Sequence, residues 1–386
     1  MRVSDSSHQH LTYCLNVHPG EDWDTNLAAI HTYALAVRDH VASDVPFGLG
    51  LRLSNAASEM LADPQRLSEF QRILEQNKLY VFTINGFPYG AFHEIEVKER
   101  VYSPDWRSED RLNYTNRLAN ILAALLPAGV PGSISTVPGS YREWIQNDAD
   151  MDAIVGNLAC CAEHLAQLEA KTNRYIALAL EPEPDCLFDT TAQTIAFFTG
   201  VLAEHRIMKS VKVDWRRYLG VCFDTCHLSV VFETPAESLR ALLHAGIAVP
   251  KVQISAALKA ETGGDTAACL SAFEDGTYLH QVRLRTSDGT PKHYPDLTRD
   301  AINAVAAEDH GEVRVHVHVP LYFEGAGPLR STASDLSEPF FDVLRESQIP
   351  NLEIETYTFN VLPPPLSEMP IEASIIKEYQ WVSERL

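Results

Sequence analysis

Short apolar runs alternate with longer segments of helical spacing along most of this chain. The runs are apolar at nearly every position, which is typical of parallel strands buried on both faces. The seven predicted strands are Leu11–Val17, Phe47–Leu53, Leu79–Asn85, Gly132–Val137, Tyr175–Glu181, Tyr218–Asp224 and Val249–Ile254. The predicted helices are Trp23–Val41, Pro64–Gln76, Ser108–Leu126, Met151–Lys171, Ala192–His205 and Thr234–Ala245. This alternation predicts an α/β fold, and one more strand would close a (β/α)8 TIM barrel.

Two later runs compete for the place of the eighth strand. They are Val313–Val319, in which Val alternates with Arg and His, and Leu352–Tyr357. We predict that Leu352–Tyr357 closes the barrel and that Val313–Val319 is an additional strand. The reverse assignment remains an alternative.

The segment after the seventh strand has the pattern of a β-hairpin. Tyr278–Arg285 and Pro291–Tyr294 flank a Ser-Asp-Gly turn at residues 287–289, a strong hairpin signal. We therefore predict a single barrel domain over residues 1–386, in which residues 258–311 are an inserted hairpin and helix region at the catalytic rim.

Composition narrows the range of functions. Apolar residues make up 45% of the 386 residues, and the net charge of −21 argues against nucleic acid as a partner. The seven cysteines are irregularly spaced, and we expect reduced thiols in a cytoplasmic protein. The polar N-terminus and the lack of a long apolar run predict no secretory signal and no membrane insertion. A small-molecule metabolite is the expected partner, and a homodimer remains open.

Carboxylates follow three of the predicted strands. Glu181 is the last residue of its strand because Pro182 cannot continue the pairing. Asp224 ends the next strand, and Glu353 and Glu355 share one face of the last strand by their period-two spacing. Because the carboxyl ends of barrel strands meet at one rim, we expect Glu181, Asp224 and Glu355 to converge. Glu183 and Asp185 fit an exposed acidic loop better.

Several neutral or basic side chains could complete a metal site. His227 lies three residues after Asp224, and Gln253 occupies the corresponding place on strand seven. His316 and His318 share one strand face, and two imidazoles beside carboxylates could bind a divalent metal. An ordinary exposed strand face explains the two histidines equally well, and His280 is a weaker candidate.

Two loops have the composition of a pocket that binds a polyol. Residues 16–23 include Asn16 and His18, and residues 85–93 include Asn85 and Tyr89. Gly, Pro, aromatic and amide side chains together suit stacking and hydrogen bonding to a small ligand. These four residues are the predicted substrate-binding set, and the segment 140–142 is a weaker one.

The order of these motifs resembles the xylose-isomerase-like TIM-barrel superfamily, which includes sugar isomerases, ketose 3-epimerases and endonuclease IV-type repair enzymes. The resemblance implies a divalent metal held by Glu181, Asp224 and Glu355, with both glutamates also moving the proton and His227 facing the substrate. Gln253 departs from the pattern, since a His is usual there, and His316, His318 or His280 would have to substitute.

A narrower resemblance extends over nearly the whole chain. The segments 11–23, 85–90, 314–321 and 353–359 are similar to the EboE-like metabolite traffic proteins, which implies a role in secondary-metabolite export.

Three functional hypotheses follow. The first is a divalent-metal-dependent isomerase or epimerase acting on a small polyhydroxy or carbonyl metabolite, with paired glutamates for proton transfer. Zinc and manganese both suit such ligands, magnesium is also compatible, and the histidines favour zinc. The alternatives are a non-catalytic metabolite carrier, favoured by Gln253, and an endonuclease IV-like phosphodiesterase, disfavoured by the acidic charge.

Overall fold

The computed structural model describes residues 1–4, 7–91, 98–274, 276–359, 362, 364 and 366–386. In chain order the strands are β1 (His10–Tyr13), β2 (Phe47–Arg52), β3 (Leu79–Asn85), β4 (Gly132–Thr136), β5 (Ile176–Leu180), β6 (Leu219–Asp224), β7 (Lys251–Ile254), β8 (Ala257–Glu261), β9 (Val282–Arg285), β10 (Pro291–Tyr294), β11 (Glu312–His318), β12 (Leu329–Ser331) and β13 (Asn351–Ile354).

Helices follow most of the barrel strands. The α-helices are Trp23–Ala29, Leu35–Val41, Asn55–Leu61, Pro64–Gln76, Glu109–Leu125, Asp148–Thr172, Thr191–Ala196, Arg206–Ser210, Trp215–Tyr218, Thr225–Val230, Pro235–His244, Gly264–Leu270, Arg299–Ala307, Glu338–Ser347 and Ile371–Ser383. Two segments are π-helical, Ile30–Ala34 and Phe197–Leu202. The short 3-10 turns are Leu15–Val17, Lys98–Tyr102, Arg142–Trp144, Ser271–Phe273, Thr332–Asp335 and Leu366–Glu368.

Eight parallel strands form the barrel. They follow one another in the order β1, β13, β7, β6, β5, β4, β3, β2, and a parallel bridge between Cys14 and Gly50 joins the two ends of this sheet. The barrel strands are almost entirely buried, as their apolar runs predict. The (β/α)8 fold inferred from the sequence is therefore confirmed.

The closing strand is β13, which pairs in parallel with β1 and β7. The run Val313–Val319 instead supplies β11 of a second, antiparallel sheet in the order β10, β9, β11, β8, β12. Its alternating Val side chains are buried, which suits an antiparallel strand with one face on the core. The reverse assignment of the two runs is thus excluded.

The predicted hairpin is present in the second sheet. β9 and β10 pair in antiparallel register around residues 287–289, and Gly289 has a φ of +87°, a conformation that favours glycine. The strands of this second sheet extend from Ala257 to Ser331, so the sheet includes residues beyond the predicted insertion, 258–311. We call it the insertion sheet.

Gly50 lies where β1 meets β2. A Cβ atom there would lie 2.9 Å from the carbonyl oxygen of Tyr13 and would collide with the Glu353 carboxylate. We expect Gly50→Ala to lower the free energy of unfolding by about 1–3 kcal/mol, the usual cost of overpacking, as measured by urea denaturation. Gly156→Ala, whose Cβ would make only an ordinary contact with Ile207, is the control. Equal stability of the two variants would contradict the prediction.

None of the helices in the described part of the chain is both long and apolar enough to span a bilayer.

Candidate metal centre

Three carboxylates converge at the carboxyl-terminal rim of the barrel. Glu181 directly follows β5, Asp224 is the last residue of β6, and Glu355 directly follows β13. One carboxylate oxygen from each lies within 4.8 Å of the other two, and the three residues are 1–3% exposed. The structure thus brings together the three acids that the sequence analysis grouped.

Buried carboxylates at this spacing are costly unless a cation or protons neutralise them. Burial and the neighbouring Glu355 and Asp224 raise the pKa of Glu181 well above its usual value. Burial and Asp224 have the same effect on the pKa of Glu355. Without a cation, this site therefore favours protonated glutamates, and a bound cation would favour the ionised forms.

Asp224 is oriented by two hydrogen bonds to one of its oxygens. Its Oδ1 accepts from the backbone N–H of His227 at 2.9 Å, capping the helix Thr225–Val230, and from Ser255 Oγ at 2.8 Å. Burial acts to raise the pKa of Asp224, but His227, His318 and these hydrogen bonds hold it below its usual value. The other oxygen, Oδ2, is left to face the cluster.

Three imidazoles lie beside the carboxylates. The ring centroid of His227 is 4.6 Å from that of His316 and 5.7 Å from that of His318. Potential ligand atoms of Asp224, His227 and His318 lie within 4.8 Å of one another, and the same holds for Cys226, His316 and His318 and for Glu183, His227 and His316. Asp224 therefore belongs both to the carboxylate group and to an imidazole group.

The hydrogen bonds of these rings fix which nitrogen is protonated in the neutral imidazoles. His227 Nδ1 lies 3.0 Å from the carbonyl oxygen of Pro182, and His318 Nδ1 lies 2.8 Å from that of Glu355. A carbonyl oxygen only accepts, so both Nδ1 atoms carry the proton and each Nε2 presents a lone pair.

Hydrogen bonds also fix which nitrogen of the neutral His316 ring carries the proton. Its Nδ1 lies 2.7 Å from Gln281 Oε1, and the Gln281 amide nitrogen donates to Tyr102 Oη and to the Pro184 carbonyl, which sets the orientation of the amide. His316 Nε2 then presents a lone pair to His318 Nε2 at 3.3 Å. Burial and the neighbouring imidazoles lower the pKa of His316 well below its usual value, and burial lowers that of His318 to about 4. Two lone pairs this close repel unless a cation lies between them.

The residues present fit a divalent cation. When the carboxylates are ionised, the buried Oε2 of Glu181 and the buried Oδ2 of Asp224 have no hydrogen-bond partner among the described residues, so each of these acids keeps an oxygen that a cation would satisfy. Carboxylate oxygens with imidazole nitrogens form a ligand set typical of zinc or manganese. The nearby Cys226 thiol adds a soft atom, which zinc prefers.

Strand seven faces the barrel interior with Lys251 and Gln253. Gln253 Oε1 accepts a hydrogen bond from the Cys222 thiol at 2.8 Å. Lys251 Nζ lies 2.6 Å from Glu353 Oε2, and both side chains are fully buried. Glu353 is thus engaged in an ion pair, in agreement with the choice of Glu355 for the rim, while the metal-binding role of Gln253 stays a prediction.

The predicted substrate-binding residues divide into two pairs. Asn16 and Asn85 line a cavity that opens onto the cluster, and both bond to Glu355. His18 is buried, lies 3.0 Å from Tyr13 Oη through its Nε2, and stacks on Tyr33, while Tyr89 packs edge-on against Tyr114. Neither His18 nor Tyr89 is among the residues that line this cavity, and Phe92 and His93 of the same loop lie outside the described residues.

Part of the cavity wall was not predicted from the sequence. Glu183, expected in an exposed loop, is buried and accepts a hydrogen bond from Tyr102 Oη at 2.8 Å, and burial raises its pKa to about 7. Asp185 is half-buried and bonds Arg283 at 2.6 Å. Aromatic side chains from distant segments complete the wall, namely Phe87, Tyr102, Tyr278 and Tyr357. Two of these residues could have been found from the sequence, because Tyr278 begins the predicted hairpin and Tyr357 ends the predicted closing strand.

The fold and these residues define a (β/α)8-barrel protein with a buried carboxylate and imidazole cluster at the carboxyl-terminal rim. No protein-family model and no curated protein matches the sequence. A probable 3-DHS dehydratase, AsbF, involved in petrobactin synthesis from Bacillus anthracis, has 13% identity and a TM-score of 0.52, with 98% of this chain and 100% of that chain covered. At this identity the likeness shows the shared fold alone.

Two further solved structures are similar over most of their length. A zinc-bound IOLI protein has 14% identity and a TM-score of 0.48, with 98% and 99% of the two chains covered. A xylose isomerase domain protein from Planctomyces limnophilus has 13% identity and a TM-score of 0.47, with 88% of each chain covered. The resemblance to EboE-like proteins stays a prediction.

Proposed function

We propose that this protein is a divalent-metal-dependent isomerase or epimerase acting on a small polyhydroxy or carbonyl metabolite. The observation that carries the proposal is the convergence of Glu181, Asp224 and Glu355 from three strand ends, with one oxygen of each within 4.8 Å of the others. Glu181 Oε2 and Asp224 Oδ2 also lack a hydrogen-bond partner among the described residues. A rim cavity with aromatic and amide walls lies beside them and suits the carbon and hydroxyl groups of such a ligand.

A bound divalent ion supplies Lewis-acid polarisation of a carbonyl and its neighbouring hydroxyl. Glu181, Asp224 and Glu355 would hold that ion, with the imidazoles of His316 and His318 at its side. Glu181 and Glu355 lie on strands separated by β6 and β7, so they can approach a substrate carbon from different directions. One would take the proton from a C–H bond next to the carbonyl and the other would return it. His227 lines the cavity, and its Nε2 lone pair can accept a hydrogen bond from a substrate hydroxyl.

The metal content of the purified protein tests this proposal. We expect elemental mass spectrometry to find at least one divalent ion per chain. We expect Glu181→Gln to lower the affinity of the protein for this ion by more than the roughly 10–100-fold loss that removal of an outer-shell partner typically causes. Glu378→Gln is the control, because Glu378 is equally buried but bonds Thr356 and Leu321. A metal-free protein that still binds polyols would overturn the proposal and favour the metabolite-carrier alternative.

A second candidate is metal-dependent hydrolysis of a phosphate ester. The observation in its favour is that Asp224 belongs both to the carboxylate group and to a group with His227 and His318, since adjoining metal sites are typical of phosphodiester chemistry. The net charge of −21 argues against DNA as its substrate. Release of nitrophenol from bis-p-nitrophenyl phosphate by the metal-loaded protein would support this candidate.

A further inference from the structure

Asn16 and Asn85 hold the same oxygen atom of Glu355. Asn16 Nδ2 donates to Glu355 Oε1 at 2.7 Å, and Asn85 Nδ2 donates to it at 3.0 Å. Asn16 lies in the 3-10 turn after β1, and Asn85 is the last residue of β3. The two amides therefore reach Glu355 from different strands of the barrel.

The orientation of the Asn85 amide is fixed by a third bond. Its Oδ1 accepts from the backbone N–H of Phe87 at 3.1 Å, so its Nδ2 must face Glu355. Asn16, Asn85 and Glu355 are only 2–3% exposed. Water therefore cannot readily replace either donor, and the cost of losing one is that of an unsatisfied buried carboxylate.

Two N–H donors bond to Oε1, and a carboxylate oxygen has two lone pairs, so Oε2 is the oxygen of Glu355 that is left to bind a cation. We propose that Asn16 and Asn85 are positioning residues that make Glu355 a metal ligand through one oxygen, Oε2, and that they act through Glu355 instead of contacting the substrate. This inference rests on the proposed function, because it assumes that the carboxylates bind a metal.

Glu355→Gln should respond to the two asparagines differently from the wild-type glutamate. The side-chain oxygen of the new glutamine would accept from Asn16 and Asn85, so its NH2 group would face the cation. We expect this variant to bind Co²⁺ more weakly than the wild type by more than the roughly 10–100-fold typical of an outer-shell change. Removing the two amide donors lets the glutamine turn its oxygen toward the cation.

The experiment is a double-mutant cycle in which Co²⁺ is the probe and its affinity and d–d absorption spectrum are measured. Asn16→Leu and Asn85→Leu, close in shape to Asn, should each weaken Co²⁺ binding about 10–100-fold and alter the spectrum, since Glu355 Oε1 becomes free to bind as well. In the Glu355→Gln background, Asn16→Leu and Asn85→Leu should each strengthen Co²⁺ binding instead, on the order of 10-fold. A purely structural role would give losses in both backgrounds.

The control is Asn157→Leu, which removes a half-buried amide that donates to the Trp106 carbonyl and belongs neither to the cavity lining nor to the candidate ligand groups. It should leave Co²⁺ affinity and the spectrum unchanged. If a leucine variant fails to fold, Asn16→Ser and Asn85→Ser replace it in the cycle. If the wild-type protein binds Co²⁺ and the Asn16 and Asn85 variants keep its affinity and spectrum, this inference is wrong. If the wild-type protein binds no metal, the proposed function itself is wrong.

Discussion

The Asp224→Asn protein should lose its metal while keeping its fold. Asp224 belongs to both the carboxylate group and the group that contains His227 and His318, so one substitution removes a ligand from each. Asparagine retains an oxygen that can accept from His227 N–H and Ser255 Oγ, the bonds that cap the following helix. The other oxygen, which faces the cluster, becomes an NH2 group that carries protons and no charge.

We expect the apparent affinity for Zn²⁺ to fall by more than the roughly 10–100-fold of an outer-shell change, as measured by competition with a chromogenic chelator. Asp105→Asn is the matched control, because Asp105 is also buried but bonds Ser140 and Arg107 away from the cluster. If Asp224→Asn retains wild-type metal content and affinity, the idea that this carboxylate is shared between the two groups is wrong.

The second large effect concerns the ion pair inside the barrel. Lys251 Nζ lies 2.6 Å from Glu353 and 3.2 Å from Ser135 Oγ, with no exposure of either charged side chain. Burial acts to lower the pKa of Lys251, but Glu353 holds it above its usual value, so Lys251 is a cation. Lys251→Met would leave the Glu353 carboxylate buried without a counter-charge.

We expect Lys251→Met to lower the free energy of unfolding by about 3–5 kcal/mol, and the double variant Lys251→Met/Glu353→Gln to recover much of that loss. Urea denaturation followed by circular dichroism measures both. Lys209→Met, which breaks an exposed pair of the same 2.6 Å length with Glu204, should change stability little. Equal losses for Lys251→Met and Lys209→Met would show that the interior pair has no special role.

The barrel and its three acids could be predicted because their signals are local. Pro182 ends the strand that carries Glu181, and the period-two spacing of Glu353 and Glu355 places them on one face. Given a barrel, the strand order brings such ends together without further information. The approximate limits of most strands follow from the same apolar runs.

The contacts between distant segments could not be predicted in this way. His316 and His318 have the pattern of any half-buried strand, and only the docking of the insertion sheet on the barrel brings them to His227. The burial of Glu183 depends on Tyr102, which lies 81 positions earlier in the chain. The direction of the Asn16 and Asn85 amides toward Glu355 likewise depends on side-chain hydrogen bonds between strands.

The insertion sheet and the barrel meet at β11, where His318 bonds the Glu355 carbonyl and Val319 N–H bonds the Ala256 carbonyl. A cation held by His318 of β11 together with Asp224 of β6 would therefore be a cross-link between the two sheets. By mass action, such an ion stabilises the docked arrangement by an amount that grows with the logarithm of its free concentration relative to its Kd. Chelation should then separate one cooperative thermal transition into two, with the insertion sheet melting first.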